Sequence, residues 1–190
     1  MNYQMFPLLF TRITTLLLFF LALGLSFIGI SSLLSFYIVV GVVFPIIISM
    51  RLHRLNETGA ALTLTEDSQW MTYIHGFPAQ EQRSVLKNPC FFSELRLRQF
   101  FITSFSGKLC LQMACLAILA HDAVNQANTL VVLFVLMILL IYISKSIWIL
   151  SRLITGKWQC ESLATDSGSV WFQGFIGEGS KRVAMFKVLC

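Results

Sequence analysis

The chain has 190 residues, of which 56% are hydrophobic and 12% charged, and its mean hydropathy is +0.76. A soluble domain carries roughly a quarter charged residues; here the apolar residues are also blocked together, which excludes an ordinary water-soluble fold and makes lipid the solvent for much of the chain. The formal charge of +5 is not a nucleic-acid signature: no segment mixes dense Lys and Arg with aromatics, and the basic residues hug the ends of apolar runs, where they set topology and attract anionic lipid headgroups.

Met1 to Phe6, Arg12 and the apolar run behind them have the outline of a signal peptide. No small-x-small cleavage pattern closes the run, so it reads as a retained first span, Leu8 to Ile28. Ser31-Ser32 makes a small-residue break, and a second span runs from Leu33 to Met50, ending at Arg51-Leu52-His53-Arg54. Both spans meet the length of about 20 residues that a ~30 Å hydrocarbon core demands. Pro45, late in the second, predicts a kink or a loosened turn. The third span centres on 104–123, with Lys108 snorkelling to the inner interface and His121-Asp122 at the outer one. The fourth, Thr129 to Leu150, is anchored at its inner end by Lys145, Trp148 and Arg152. Gly24, Ser26, Gly41, Ala114 and Ala117 are small residues that suit close helix packing.

The loops inside the two helix pairs hold no Lys or Arg. The central segment carries Arg51, Arg54, Arg83, Lys87, Arg96 and Arg98, and the tail carries Lys157, Lys181, Arg182 and Lys187. All fourteen basic residues therefore fall on one side, which places both termini and the central segment in the cytoplasm.

The segments between and after the spans read as β. Leu62 to Thr65 is strand-like, Glu66-Asp67-Ser68 a turn, and Trp70 to Ile74 a second strand; Gly76 and Pro78 break the run. Arg83 to Leu86 reads as a third strand, and Leu95-Arg96-Leu97-Arg98 alternates like a strand leading back to the membrane. In the tail, Trp158 to Ala164 and Val170 to Gln173 flank a turn at Thr165 to Gly168; Gly174, Gly177 and Gly179 loosen the stretch after the second strand, and Val183 to Leu189 closes the module. The expected fold is thus an α+β membrane protein. Four transmembrane helices form two hairpins (1–50 and 100–151), each followed by a small cytoplasmic antiparallel β module (51–99 and 152–190). At one constant offset Arg51 falls on Arg152, Leu52 on Leu153, Leu62 on Leu163, Trp70 on Trp171 and Gly76 on Gly177, which points to an internal duplication.

The second half resembles the YgfX-like (CptA) family of small bacterial inner-membrane proteins through His121, Arg152, Leu163, Asp166, Gly168 and Trp171-Phe172-Gln173-Gly174. The first half resembles it through Leu62, Leu64, Asp67, Trp70, Gly76, Val85, Pro89 and Leu95-Arg96-Leu97-Arg98. The resemblance implies a toxin-type or regulatory protein of the bacterial inner membrane, multi-pass, with no cofactor of its own. Such a protein acts on cytoskeletal polymerisation or beside a small flavinylation-associated partner.

Chemistry-bearing patterns are sparse. No Ser-His-Asp ordering, nucleotide loop, HExxH helix or metal-ligand spacing occurs, and Cys90, Cys110, Cys115, Cys160 and Cys190 read as unpaired thiols. His53 reads as interfacial and His75 as a turn residue. His121 and Asp122 have two readings, a proton or ion relay and a polar turn in which Asp122 caps a helix. Trp70, Tyr73, Trp171 and Phe172 are either module cores or a partner-binding face. The expected function is non-enzymatic: the β modules dock a protein partner, in a homo- or hetero-oligomer, as a regulator or toxin-like effector. The alternatives are an accessory (exclusion or immunity) subunit of a secretion, conjugation or transport complex, and a small channel or transporter using His121 and Asp122.

Overall fold

A computed structural model describes residues 5–63, 65–74, 77–86, 88–125, 129–164, 169–177 and 182–189. It is α+β, with long apolar helices and a small antiparallel sheet. Two compact units each draw on two stretches of chain, Met1–Ile46 with Phe105–Ile149 and Ile47–Ser104 with Leu150–Cys190.

In the first unit, α1 (Met5–Phe27) has 23 residues and is about 35 Å long. It ends at Gly29, whose φ of 96° suits a residue without a Cβ. There Ile30 N–H donates to Leu25 C=O and Gly29 N–H to Ser26 C=O, each at 3.0 Å, the double closure of a Schellman motif. A second helical run, Ser32–Glu57, has three parts: α2 (Ser32–Ile38), a π-helical turn (Val39–Val43) and α3 (Phe44–Glu57). Pro45 accounts for the π turn. It has no N–H to give the preceding turn and its ring crowds that turn's carbonyl, so the backbone widens and Phe44 N–H reaches back to Val39 C=O. The loosening expected at Pro45 thus appears one turn upstream of it.

α4 (Glu94–Asn125) and α5 (Thr129–Ile154) contribute the rest. Among the described residues, three runs are long and apolar enough to cross a membrane: Ser32–Glu57, Glu94–Val124 and Thr129–Ile154. Only 22%, 28% and 22% of their apolar windows is buried. Leu17, Phe20, Leu133, Phe134, Met137 and Ile141 are all exposed. Helices that are apolar on uncovered faces are solvated by hydrocarbon at far lower cost than by water. The buried centre consists of Ala22, Ile30, Leu33, Leu119, Val135 and Leu139. Phe19 and Tyr37 meet at 5.3 Å between centroids, and Phe36 and Tyr142 at 5.2 Å. The small residue in this core is Ala22. At Gly24 and Gly41 a Cβ would meet nothing within 4 Å, so these glycines do not serve close packing. Lys108 Nζ lies 5.8 Å from the Phe44 ring centroid, an aromatic partner for a cation at the end of an apolar run.

In the second unit, α3 and α5 end alike. α3 closes at Gly59 (φ 69°), with Ala60 N–H donating to Leu55 C=O at 2.9 Å. α5 closes at Gly156 (φ 73°), with Lys157 N–H donating to Arg152 C=O at 3.0 Å. A strand comes directly after each closure, β1 (Ala61–Leu62) and, after α5, β5 (Gln159–Ala164). Between them lie β2 (Thr65–Ile74), β3 (Phe77–Leu86) and β4 (Cys90–Phe91); β6 (Val170–Ile176), β7 (Val183–Ala184) and α6 (Met185–Leu189) complete the tail.

The strands do not sort into one sheet per segment. A five-stranded sheet runs β1-β4-β6-β5, with β7 also on β6, so central-segment and tail strands share it. Phe91 pairs with Ala61 on one side and with Phe172 on the other. β2 and β3 form a separate two-stranded ribbon with ten paired positions, from Thr65↔Leu86 to Ile74↔Phe77.

Four expectations change. Glu66-Asp67-Ser68 is no turn: β2 runs straight through it, paired with Val85, Ser84 and Arg83. Pro78 lies within β3, opposite Tyr73, while His75 and Gly76 fall outside the described residues. Leu95 to Arg98 is the first turn of α4, not a strand. Leu97, Phe100, Phe101, Ser104 and Phe105 are all buried, and that is helical spacing; it overrides the local alternation of Leu and Arg. The chain after Val183-Ala184 turns helical at Met185, so the closing strand is only two residues long.

The core of this unit holds Leu52, Phe91, Leu97, Leu153, Met185 and Leu189, each at most 2% exposed. Phe91 lies 5.1 Å from Phe100 and 6.4 Å from Phe101 between centroids. Gly174 sits in β6 against Met185 and Leu97; a Cβ there would stand 2.9 Å from Met185 Sδ and 3.3 Å from Leu97 Cδ2. This glycine is therefore a packing residue of the strand rather than a loosening element after it.

Candidate functional site

Trp70 and Tyr73 both lie in β2 and, three residues apart, on opposite faces of it. The register puts Trp70 on the face of Ile74, Phe77 and Val85, and Tyr73 on that of Met71, Pro78 and Leu86. Trp171 and Phe172 are neighbours in β6 and likewise face opposite ways. β2 belongs to the ribbon and β6 to the larger sheet, so the four aromatics do not form one continuous strand face. Trp171 is half-buried. Its Nε1 donates to Ser169 Oγ at 3.1 Å, and its ring meets Phe92 edge-on at 6.1 Å. Phe92 is 63% exposed. Its role was hidden in the sequence, because only the β4–β6 pairing brings it beside Trp171.

His121 and Asp122 lie near the end of α4, with His121 Nδ1 3.9 Å from Asp122 Oδ1. The two side chains differ sharply, 80% exposed against 11%. Asp122 Oδ2 accepts three hydrogen bonds: from Ser31 N–H at 2.8 Å, Ser31 Oγ at 3.1 Å and Ser32 N–H at 3.2 Å. The first amides of a helix have no acceptor within it, and Ser31 makes no side-chain cap of its own to α2. Asp122 supplies that cap from another helix, and its negative charge suits the positive end of the helix dipole. The geometry is that of the capping reading. The pair of serines was legible only as a break, although Ser is among the residues favoured where a helix begins.

A polar staple joins β4 to β6. Asn88 Nδ2 donates to Gly174 C=O at 2.8 Å, and Gln173 Nε2 to Asn88 C=O at 3.0 Å and Cys90 Sγ at 2.9 Å. Arg98 donates to Ile154 C=O at 2.8 Å, a cation on the carbonyls that end α5. Arg182 pairs with Glu161 and stacks 5.0 Å from the Phe175 ring centroid. His53 pairs with Glu57 at 3.4 Å on the exposed face of α3.

Cys90, Cys110, Cys115 and Cys160 are free thiols. Burial pushes the Cys90 thiol pKa up, against the opposing hydrogen bond from Gln173. Burial, then the Glu94 carboxylate, push Cys160 up. Raised thiols hold their protons to higher pH and are weaker nucleophiles near neutrality. With the other cysteines replaced by serine, alkylation of Cys160 is expected to reach its half-maximal rate at a higher pH than an exposed thiol does. A midpoint at or below that of an exposed thiol would contradict the geometry. Among the described residues no cluster of three His, Cys, Asp or Glu side chains is arranged for a metal ion.

Gln112, in the apolar part of α4, is 1% exposed, and neither its Oε1 nor its Nε2 has a hydrogen-bond partner. An unpaired buried amide costs about 1–3 kcal/mol. Gln112→Leu is therefore expected to raise unfolding stability in detergent by about that amount. A destabilised Gln112→Leu chain would show that the amide is held by contacts of its own.

No known family, curated protein or solved structure matches the chain.

Proposed function

We propose that the chain is a non-enzymatic bacterial inner-membrane protein whose cytoplasmic β-rich unit docks a protein partner, as a regulator or toxin-like effector of the YgfX type. The observation that carries this reading is the β2–β3 ribbon. Its ten paired positions meet no third strand among the described residues. A two-stranded ribbon is marginal in water without a surface to pack on, and its edges are templates for further strands. Aromatic register positions on both faces, Trp70 on one and Tyr73 on the other, suit docking.

In this reading α1 is the fourth span, which its 23 residues and the Phe19–Tyr37 contact support. Both termini are then cytoplasmic, beside the basic segments and anionic headgroups. The like closures of α3 and α5 at Gly59 and Gly156, each leading into a strand, support descent from a tandem YgfX-like unit.

Affinity purification in mild detergent tests the docking. The intact chain is expected to bring a discrete protein with it. A chain whose residues 65–86 are replaced by a Gly-Ser linker is expected to insert in the membrane but lose that protein. An intact chain that emerges alone, or a partner retained after the replacement, would refute the role of the ribbon.

A further inference from the structure

We infer that a cleft in the second unit binds the phosphate of an anionic phospholipid. The cleft has a volume of about 340 Å³, within the range of small-ligand sites. Arg51 and Leu55 line it from α3, one turn apart, and Leu95, Arg96, Gln99 and Phe100 line it from the first turns of α4. Arg51 Cζ lies 5.2 Å from the Phe100 ring centroid. Stacking fixes the guanidinium plane and leaves its edge N–H groups to an oxyanion, whose paired oxygens match that fork. Among the described residues no carboxylate is paired with Arg51 or Arg96. The first helical bond of α4 is Leu97 N–H to Ser93 C=O at 3.0 Å, so the amides before it have no helical acceptor and favour an anion.

The rest of the lining selects the source of the phosphate. Leu55, Leu95 and Phe100 offer hydrocarbon beside the two cations, and Leu95 is 63% exposed. A free phosphate satisfies only the cations, whereas a phospholipid satisfies both kinds of surface. The cleft also lies where one apolar run ends in α3 and another begins in α4, the depth of a lipid headgroup. The inference rests on the membrane reading of those helices.

The test uses the full chain in nanodiscs of phosphatidylethanolamine, with phosphatidylglycerol or phosphatidylcholine added, and counts retained lipids by native mass spectrometry. Phosphatidylglycerol is expected to be retained at least tenfold over phosphatidylcholine. Arg51→Gln with Arg96→Gln is expected to erase that preference, Arg51→Lys to reduce it, and Arg54→Gln, outside the cleft, to leave it intact. Equal retention of the two lipids, a double variant that keeps the preference, or an equal loss in Arg54→Gln would overturn the site. Full displacement by soluble glycerol phosphate would overturn the lipid as its source. Circular dichroism verifies that the variants fold. Failure of the membrane reading shows separately, as a chain that leaves the membrane fraction whichever lipid is present.

Discussion

Phe91→Ala is expected to lower unfolding stability by about 3–5 kcal/mol, the range for removing a fully buried aromatic ring. Phe91 is 1% exposed and its ring packs on Phe100 and Phe101. Its backbone is also the seam of the sheet, paired with Ala61 and with Phe172. Truncation therefore removes hydrocarbon where the central segment meets the tail, and β1 and β4, each two residues long, have few other pairings with which to compensate. Phe92→Ala is the control. Its ring is 63% exposed and meets Trp171 at its edge, so the expected loss is only about 0.5–1.5 kcal/mol. Denaturant unfolding in detergent, read by Trp fluorescence and far-UV dichroism, distinguishes the two. Equal losses would mean that Phe91 is not the seam.

Asp122→Ala is expected to cost about 2–3 kcal/mol, because the charged acceptor of three hydrogen bonds disappears and two backbone amides at the start of α2 lose their cap. Asp122→Asn keeps an acceptor oxygen but loses the charge, and the expected cost falls to about half of that. The Ser31 hydroxyl contributes one of the three bonds, so Ser31→Ala and Asp122→Ala are expected to be non-additive by about 0.5–1 kcal/mol in a double-mutant cycle. His121→Ala, with its side chain largely in the open, is expected to stay within about 0.5 kcal/mol of the parent. A relay role predicts instead that His121→Ala and Asp122→Ala abolish proton flux alike in reconstituted vesicles, and flux equal to the parent in His121→Ala removes that role.

The apolar helices were legible because hydropathy is a local property that tertiary packing does not reverse. Ser32–Glu57, Glu94–Val124 and Thr129–Ile154 each contain the span expected there, extended by a turn or more at the end that leads to the β-rich segments. The π turn is written in Pro45, since a missing N–H must be accommodated somewhere upstream. Leu95 to Arg98 misled because four residues of alternation look like a strand; the helical period emerges only when Phe100, Phe101 and Phe105 are counted with Leu97. Glu66 to Ser68 misled because acidic and small residues favour turns, and only the partner register of β3 overrides them. The Phe91–Phe172 pairing had no local signal at all: it joins two distant strands, one of them two residues long. The same holds for the site. His121 and Asp122 stood out as polar residues in an apolar chain, but the choice between relay and cap depended on Ser31, a contact made across helices. Trp70 and Trp171 matched in spacing, yet their strands entered different sheets.

The shared sheet requires the central segment and the tail to lie on one side of any membrane that the helices cross. That requirement is independent of α1: in the proposed membrane reading, the three longer runs alone put residues 58 and 157 on one side and residue 124 on the other. Single cysteines at these exposed positions, in a chain otherwise free of cysteine, test it in spheroplasts with a membrane-impermeant maleimide. Val124→Cys is expected to label in the intact preparation, and Thr58→Cys and Lys157→Cys only after permeabilisation. If Thr58→Cys and Lys157→Cys label from opposite sides, the shared sheet cannot exist.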